Sequence, residues 1–186
     1  DVHVGKTCQR LALFFQQDAA SASLAEAALW VSRLDNPDLD VAAYRAQIER
    51  MVAEIEETLS ATASDSERLE ALNRYLFTEN GYHGSRTQYY QAANSYLDRV
   101  VDDREGLPIT LSVLYLELAT RLGITVEGVG LPGHFVVRHV PTEGASQLID
   151  VFDAGRKLEI EDARRLAEDI AGVPWDEAYL ARVDQQ

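Results

Sequence analysis

The run Gly106-Leu107-Pro108-Ile109-Thr110-Leu111-Ser112, followed by Arg121-Leu122-Gly123-Ile124, reads as one helix with both ends written into it. Proline at the first helical position costs no hydrogen bond, because the N–H it lacks would have no intrahelical partner there. Leu111, Leu114, Tyr115, Leu118 and Leu122 form a stripe with helical spacing that must be buried, and Gly123 supplies the stop. Three β-rich runs follow: Thr125 to Leu131, His134 to Val140 and Gln147 to Asp153. Pro132-Gly133 and the segment Pro141 to Ser146 separate them, which predicts an antiparallel meander. Phe135, Val136, Val137 and Val140 make the second run apolar on both faces, as suits a middle strand covered by helices.

Upstream, the chain reads as helices. Ser23-Leu24-Ala25-Glu26 is a capping box, and Asn36-Pro37 closes the segment it opens. Val41, Tyr44, Ile48, Met51, Val52, Ile55 and Leu59 form the buried stripe of a second helix. After the small polar stretch Ala61 to Ser66, Ser64 and Glu67 restart a helix carrying Leu69, Leu72, Leu76 and Phe77, and Asn80-Gly81 stops it. Tyr82 to Ala93 has no sustained period and reads as an ordered loop, after which Asn94 caps a short helix. A helix from Glu159 to Ala171 and a Pro174-Trp175 tail complete the pattern. The division expected is a helical region at 1–62 packed on a core at 63–172, with a tail at 173–186.

Composition narrows the function classes. A net charge of -14 over 186 residues, with no basic cluster, argues against a nucleic-acid partner. No apolar run is long enough to span a bilayer, so the expectation is a cytoplasmic protein with no membrane association. The single cysteine, Cys8, excludes an intramolecular disulfide and is expected to be a small buried residue. His134 and His139 fall on opposite faces of one strand, while His3 and His83 lack ligand-like spacing, so neither metal nor cofactor is expected.

Gly128-Val129-Gly130-Leu131-Pro132-Gly133 matches the letters of a dinucleotide fingerprint, but a β-branched run follows where the helix N-terminus would have to be. The glycines read instead as those of a tight hairpin. What remains is a strand opening with His134 beside a strand bearing Asp150. A carboxylate next to an imidazole fixes its tautomer and stabilises its cation, which serves catalysis and structure equally; both readings stand open.

The residues Gly106 to Ser112, Arg121 to Ile124, Gly128 to Phe135 and Ile149-Asp150-Val151-Phe152 resemble the SirB-type branch of the transglutaminase-like superfamily, known in bacteria and in a eukaryotic F-box protein. Leu72 to Phe77, Gly81-Tyr82, Tyr90 and Asn94 to Leu97 extend the likeness. It implies an α+β fold with a papain/transglutaminase-like core, a central helix packed on a small antiparallel sheet, preceded by an N-terminal helical region. It also implies a cysteine at the start of the central helix, and a histidine and an aspartate on successive strands. In those enzymes a Leu-Gly-Ile follows the cysteine by about fourteen residues, and counting back from Leu122 puts Pro108 at the nucleophile. His134 then matches the base and Asp150 its orienting acid.

Proline offers no nucleophile, so the expectation is a non-catalytic module that binds a protein or peptide in the former active-site groove, rimmed by Tyr82, Tyr89, Tyr90 and His134, with Asn94 nearby. The alternative is a hydrolase or amidase in which His134 and Asp150 activate water or Ser112, one helical turn beyond Pro108. A third reading makes His134 and Asp150 a purely structural pair. Members of this branch often carry trailing tetratricopeptide repeats; no such pattern is visible before the sequence ends, and the oligomeric state is left open.

Overall fold

The computed structural model describes residues 2–14, 23–86, 91–181 and 183. Helix α1 (Val2–Phe14) precedes α2 (Leu24–Ser32), whose first turn is closed by Ser23 Oγ accepting from the Glu26 N–H at 3.0 Å. That helix stops ahead of Asn36-Pro37, in a turn over residues 33–35. Asp40 caps α3 (Val41–Glu56) through the N–H groups of Ala42 and Ala43. The Ser64–Glu67 capping box opens α4 (Asp65–Asn73), as the sequence predicts. The backbone then widens into a π-helical turn over Arg74–Glu79, which periodicity alone does not reveal.

Two short strands, β1 (His83–Gly84) and β2 (Glu105–Gly106), pair in parallel on either side of α5 (Leu97–Asp103). Asn94 is not the cap of α5: it lies in a 3-10 turn over Ala92–Ser95, and Tyr96 holds the cap position. Helix α6 (Pro108–Arg121) begins at the proline. The strands β3 (Val126–Leu131), β4 (His134–His139), β5 (Gln147–Asp150) and β6 (Arg156–Leu158) form one antiparallel sheet in sequence order. Helix α7 (Ile160–Ala171) follows, and a 3-10 turn at Glu177–Leu180 ends the ordered elements.

The third β-rich run ends at Asp150 rather than Asp153, because Asp150 ends its own strand. Its Oδ1 accepts the N–H groups of Phe152 and Asp153, and Ala154 and Gly155 then take left-handed backbone angles, φ 53° and 74°. The meander consequently gains β6, a strand too short and too charged to register as one in the sequence.

Alternation assigns the two faces of the sheet. Val137 and Ile149 face α6 and share a cluster with Leu111, Leu114, Tyr115 and Leu118; Val129, Val136 and Leu148 face α7 and its Ala163. The first cluster runs on without interruption into Leu29, Ile48, Val52, Ile55 and Leu72, so the N-terminal helices share the interior of the core. Trp175, Tyr179 and Leu180 pack against the second cluster, which ties the tail down. Cys8, expected inside, is exposed on α1.

Candidate functional site

The β3–β4 hairpin turns at Pro132-Gly133, where Gly133 has φ +72°, and a Cβ there would meet Ile170 of α7 at 2.6 Å. Glycine at this position therefore lets α7 close over the start of β4, where His134 stands. The hairpin context also disposes of the nucleotide fingerprint, since strand and not helix follows the glycines. In the β4–β5 register Val137 opposes Ile149, so His134 and Asp150 share the α7 side of the sheet and meet at its end.

His134 Nε2 lies 3.1 Å from Asp150 Oδ2, and the two side chains are 6% and 3% exposed. With Oδ1 already held by two backbone N–H groups, the carboxylate is fixed in direction. As a carboxylate it accepts the Nε2 proton, which leaves Nδ1 of a neutral imidazole as the acceptor. The Phe152 ring stands edge-on to the imidazole, centroids 5.8 Å apart at 89°. Gly84 leaves room for that ring: a Cβ there would lie 2.3 Å from it, and the Gly84 N–H donates to the Phe152 carbonyl at 3.1 Å.

A cleft of about 520 Å³ opens over this pair, and its lining includes Pro108, His134 and Asp150 together. The start of α6 is held there by Thr110, whose Oγ1 accepts from the Leu107 N–H at 3.0 Å and donates to the Asn94 carbonyl at 2.7 Å. The Asn94 backbone thus anchors the helix start, and the residue is buried rather than on a groove rim. Tyr82, expected at the rim, is also buried: its hydroxyl donates to the Val101 carbonyl at 3.3 Å, and burial pushes its pKa up to about 12. Tyr89 and Tyr90 lie outside the described residues. Ser112 is fully buried and donates to the Pro108 carbonyl at 2.7 Å, the back-bond of a helix serine, and it does not line the cleft.

Four residues that the sequence reading left out do line it: Ser85, Arg86, Asp153 and Arg156. Asp153 joins the two arginines, with Oδ1 2.5 Å from Arg86 Nη2 and Oδ2 2.9 Å from Arg156 Nε. Ser85 is fully buried, and its Oγ has no hydrogen-bond partner among the described residues. No local motif marks these positions, because they converge only when β1 is stapled to the turn after β5. Leu166 and Ile170 of α7 form an apolar wall. Among the described residues no cluster of histidine, cysteine or acidic side chains fits a metal, and no helix is long and apolar enough to cross a membrane.

A helix start and a histidine–aspartate pair at the end of an antiparallel sheet therefore border one cleft, the arrangement that the resemblance to the transglutaminase-like class implies. The chain belongs to the transglutaminase-like superfamily, whose family description matches residues 42–186. A UPF0162 protein of Xylella fastidiosa is 36% identical over 167 residues, covering 89% of this chain and 59% of that protein. Human F-box only protein 21 is 30% identical over 87% of this chain and 30% of its own length. Protein SirB1 of Salmonella typhimurium is 28% identical over 72% of this chain and 49% of its own, which supports the SirB-type branch. The chain thus spans about three-fifths of the length of the UPF0162 relative. A solved structure of a putative protease from Parabacteroides distasonis aligns over 73% of this chain and 30% of its own, at 15% identity and a TM-score of 0.38.

Proposed function

We propose that this chain is a non-catalytic protein- or peptide-binding module of the transglutaminase-like superfamily that uses the cleft over Pro108, His134 and Asp150. The observation that carries this reading is the company Pro108 keeps. It stands at the first turn of α6 in the same cleft as the histidine–aspartate pair, where resemblance puts the attacking cysteine, and it offers no nucleophilic atom. The candidate substitutes lie elsewhere, Ser112 in the core and Cys8 on α1. The reading places the module in the cytoplasm, where an exposed free thiol persists. Titrating immobilised peptide arrays with the purified protein tests it: peptides captured by the wild type should be weakened but not all lost in His134→Ala. An array with no captured peptide rejects it.

The second reading, a hydrolase or amidase acting through water, draws on one observation, the His134 Nδ1 left as an acceptor by the Nε2 contact with Asp150. Under it His134→Ala abolishes turnover of amide, ester or glutamine substrates while the thermal melt stays cooperative. A screen of those classes showing no His134-dependent turnover removes it.

A further inference from the structure

We propose that the cleft recognises a carboxylate on its peptide partner, read by Arg86 and Arg156 at the mouth and by the Ser85 hydroxyl beneath. This rests on the peptide-binding reading above and names the chemistry of the ligand.

Three independent features converge on it. The protein has 31 acidic and 17 basic residues, yet the one cleft that holds the histidine–aspartate pair carries two arginines. Asp153 engages Nη2 of Arg86 and Nε of Arg156, one on each of its oxygens, so it fixes both guanidinium groups while occupying only part of their donor sets. The arginine side chains remain 68% and 45% exposed at the entrance, and Nη1 of Arg156 has only a distant second carboxylate, Asp162 Oδ1 at 3.9 Å. Planar guanidinium groups pre-set in this way match the geometry of a carboxylate and bind it through charge-assisted hydrogen bonds.

The third feature is Ser85. A buried hydroxyl without a partner costs free energy unless something satisfies it, and this one belongs to a residue of the cleft wall, just beneath its surface. A ligand oxygen entering past the arginines supplies the acceptor. Phe152, Leu166 and Ile170 line the same space, so the residue beside the carboxylate is apolar.

A carboxylate reaches such a site from an internal Asp or Glu or from the free C-terminus of a peptide, and the test separates the two. The probes are three degenerate hexapeptide pools with uncharged flanking positions and a neutral dansyl label. One has an internal Glu and an amidated end, one an internal Gln and an amidated end, and one an internal Gln and a free C-terminal acid. Binding to the purified protein is read by fluorescence anisotropy. One acid-bearing pool should bind about tenfold more tightly than the Gln amide pool, and which one does so identifies the source. That preference should collapse to parity in Arg86→Gln/Arg156→Gln, and Ser85→Ala should weaken the preferred pool several-fold. Equal binding of all three pools overturns the carboxylate inference and leaves peptide binding standing; no binding by any pool overturns both. A preference that survives in the arginine variant overturns the assignment of its readers, and unchanged affinity in Ser85→Ala overturns the part given to that hydroxyl. Because the pools are first compared on the wild type, the result does not depend on the variants folding.

Discussion

The imidazole of His134 meets the carboxylate of Asp150 from the neighbouring strand at 3.1 Å, while the other oxygen of that carboxylate closes the turn through Phe152 and Asp153. One side chain therefore orients the histidine and terminates its own strand. Asp150→Ala should cost about 3 kcal/mol of unfolding free energy, since it leaves an imidazole N–H and two backbone N–H groups without their acceptor. Asp150→Asn should cost less, because an amide oxygen still accepts the backbone pair. Urea unfolding of both variants checks this; equal losses would mean the turn bonds contribute nothing.

Pro108 at the start of a helix and beside His134 in one cleft makes a reinstated thiol informative. In a Cys8→Ser background, Pro108→Cys should react with iodoacetamide at mildly acidic pH well ahead of wild-type Cys8, because a helix N-terminus and an imidazolium both favour thiolate. Adding His134→Ala should remove most of that advantage. A thiol at 108 no more reactive than Cys8 would show that the helix start and the histidine are not electrostatically coupled.

Ser112 back-bonds to Pro108 and should be dispensable. Ser112→Ala should change stability by less than about 1 kcal/mol and leave peptide affinity unaltered, as measured by thermal melts and anisotropy.

Burial pushes the pKa of His139 down, with Lys157 adding to the shift and Asp65 opposing it, and its Nε2 has no partner among the described residues. A histidine held neutral by the fold takes up its proton more readily once unfolded, so the unfolded state binds more protons just below the ordinary histidine pKa. Stability should be complete above about pH 6.5 and fall as pH drops through the interval below it. His139→Leu should flatten that part of the urea-midpoint profile. Asp65 has its own pKa lowered by hydrogen bonds from Thr142, so its contribution is lost only in the more acidic carboxylate range. An unchanged slope in His139→Leu would assign the dependence to another group.

Gly84 and Gly155 give way to rings, the first at the site and the second in the core beside it. An added Cβ would lie 2.3 Å from Phe152 at Gly84 and 2.5 Å from Phe77 at Gly155, where φ is also +74°. Gly84→Ala should destabilise by about 1–3 kcal/mol and push Phe152 off the imidazole, so calorimetry and the ring-current shift of the His134 protons should change together. A melt shift with no change in those protons would uncouple the glycine from the site.

The central helix and the order of the strands were legible because each follows from local signals: a proline at a helix start, a glycine stop, alternation, and hairpin glycines. That His134 meets Asp150 came from the family resemblance, since local signals do not fix the register between two strands. Tyr82 was expected at the groove rim and Asn94 among the binding residues as a helix cap, since sequence shows that an aromatic or amide is present in a loop but not which way the loop turns it. Tyr82 turns inward to Val101, and Asn94 supports the helix start. Ser85, Arg86, Asp153 and Arg156 escaped notice because they come from two segments far apart in sequence, brought together by the Gly84 N–H bond to Phe152 and the Arg86–Asp153 ion pair. The π-helical turn at Arg74–Glu79 was equally hidden, one extra residue in the turn being too little to disturb an apolar stripe.

The uninterrupted interior that links Leu29, Ile48 and Ile55 to Leu118, Val137 and Ile149 has a bearing on how the molecule opens. Helices α2 and α3 have no core of their own to melt separately. Their slowest amide protons should therefore exchange only through the global opening that also frees β4, and a fragment cut at residue 63 would present an oily wound rather than a smaller domain.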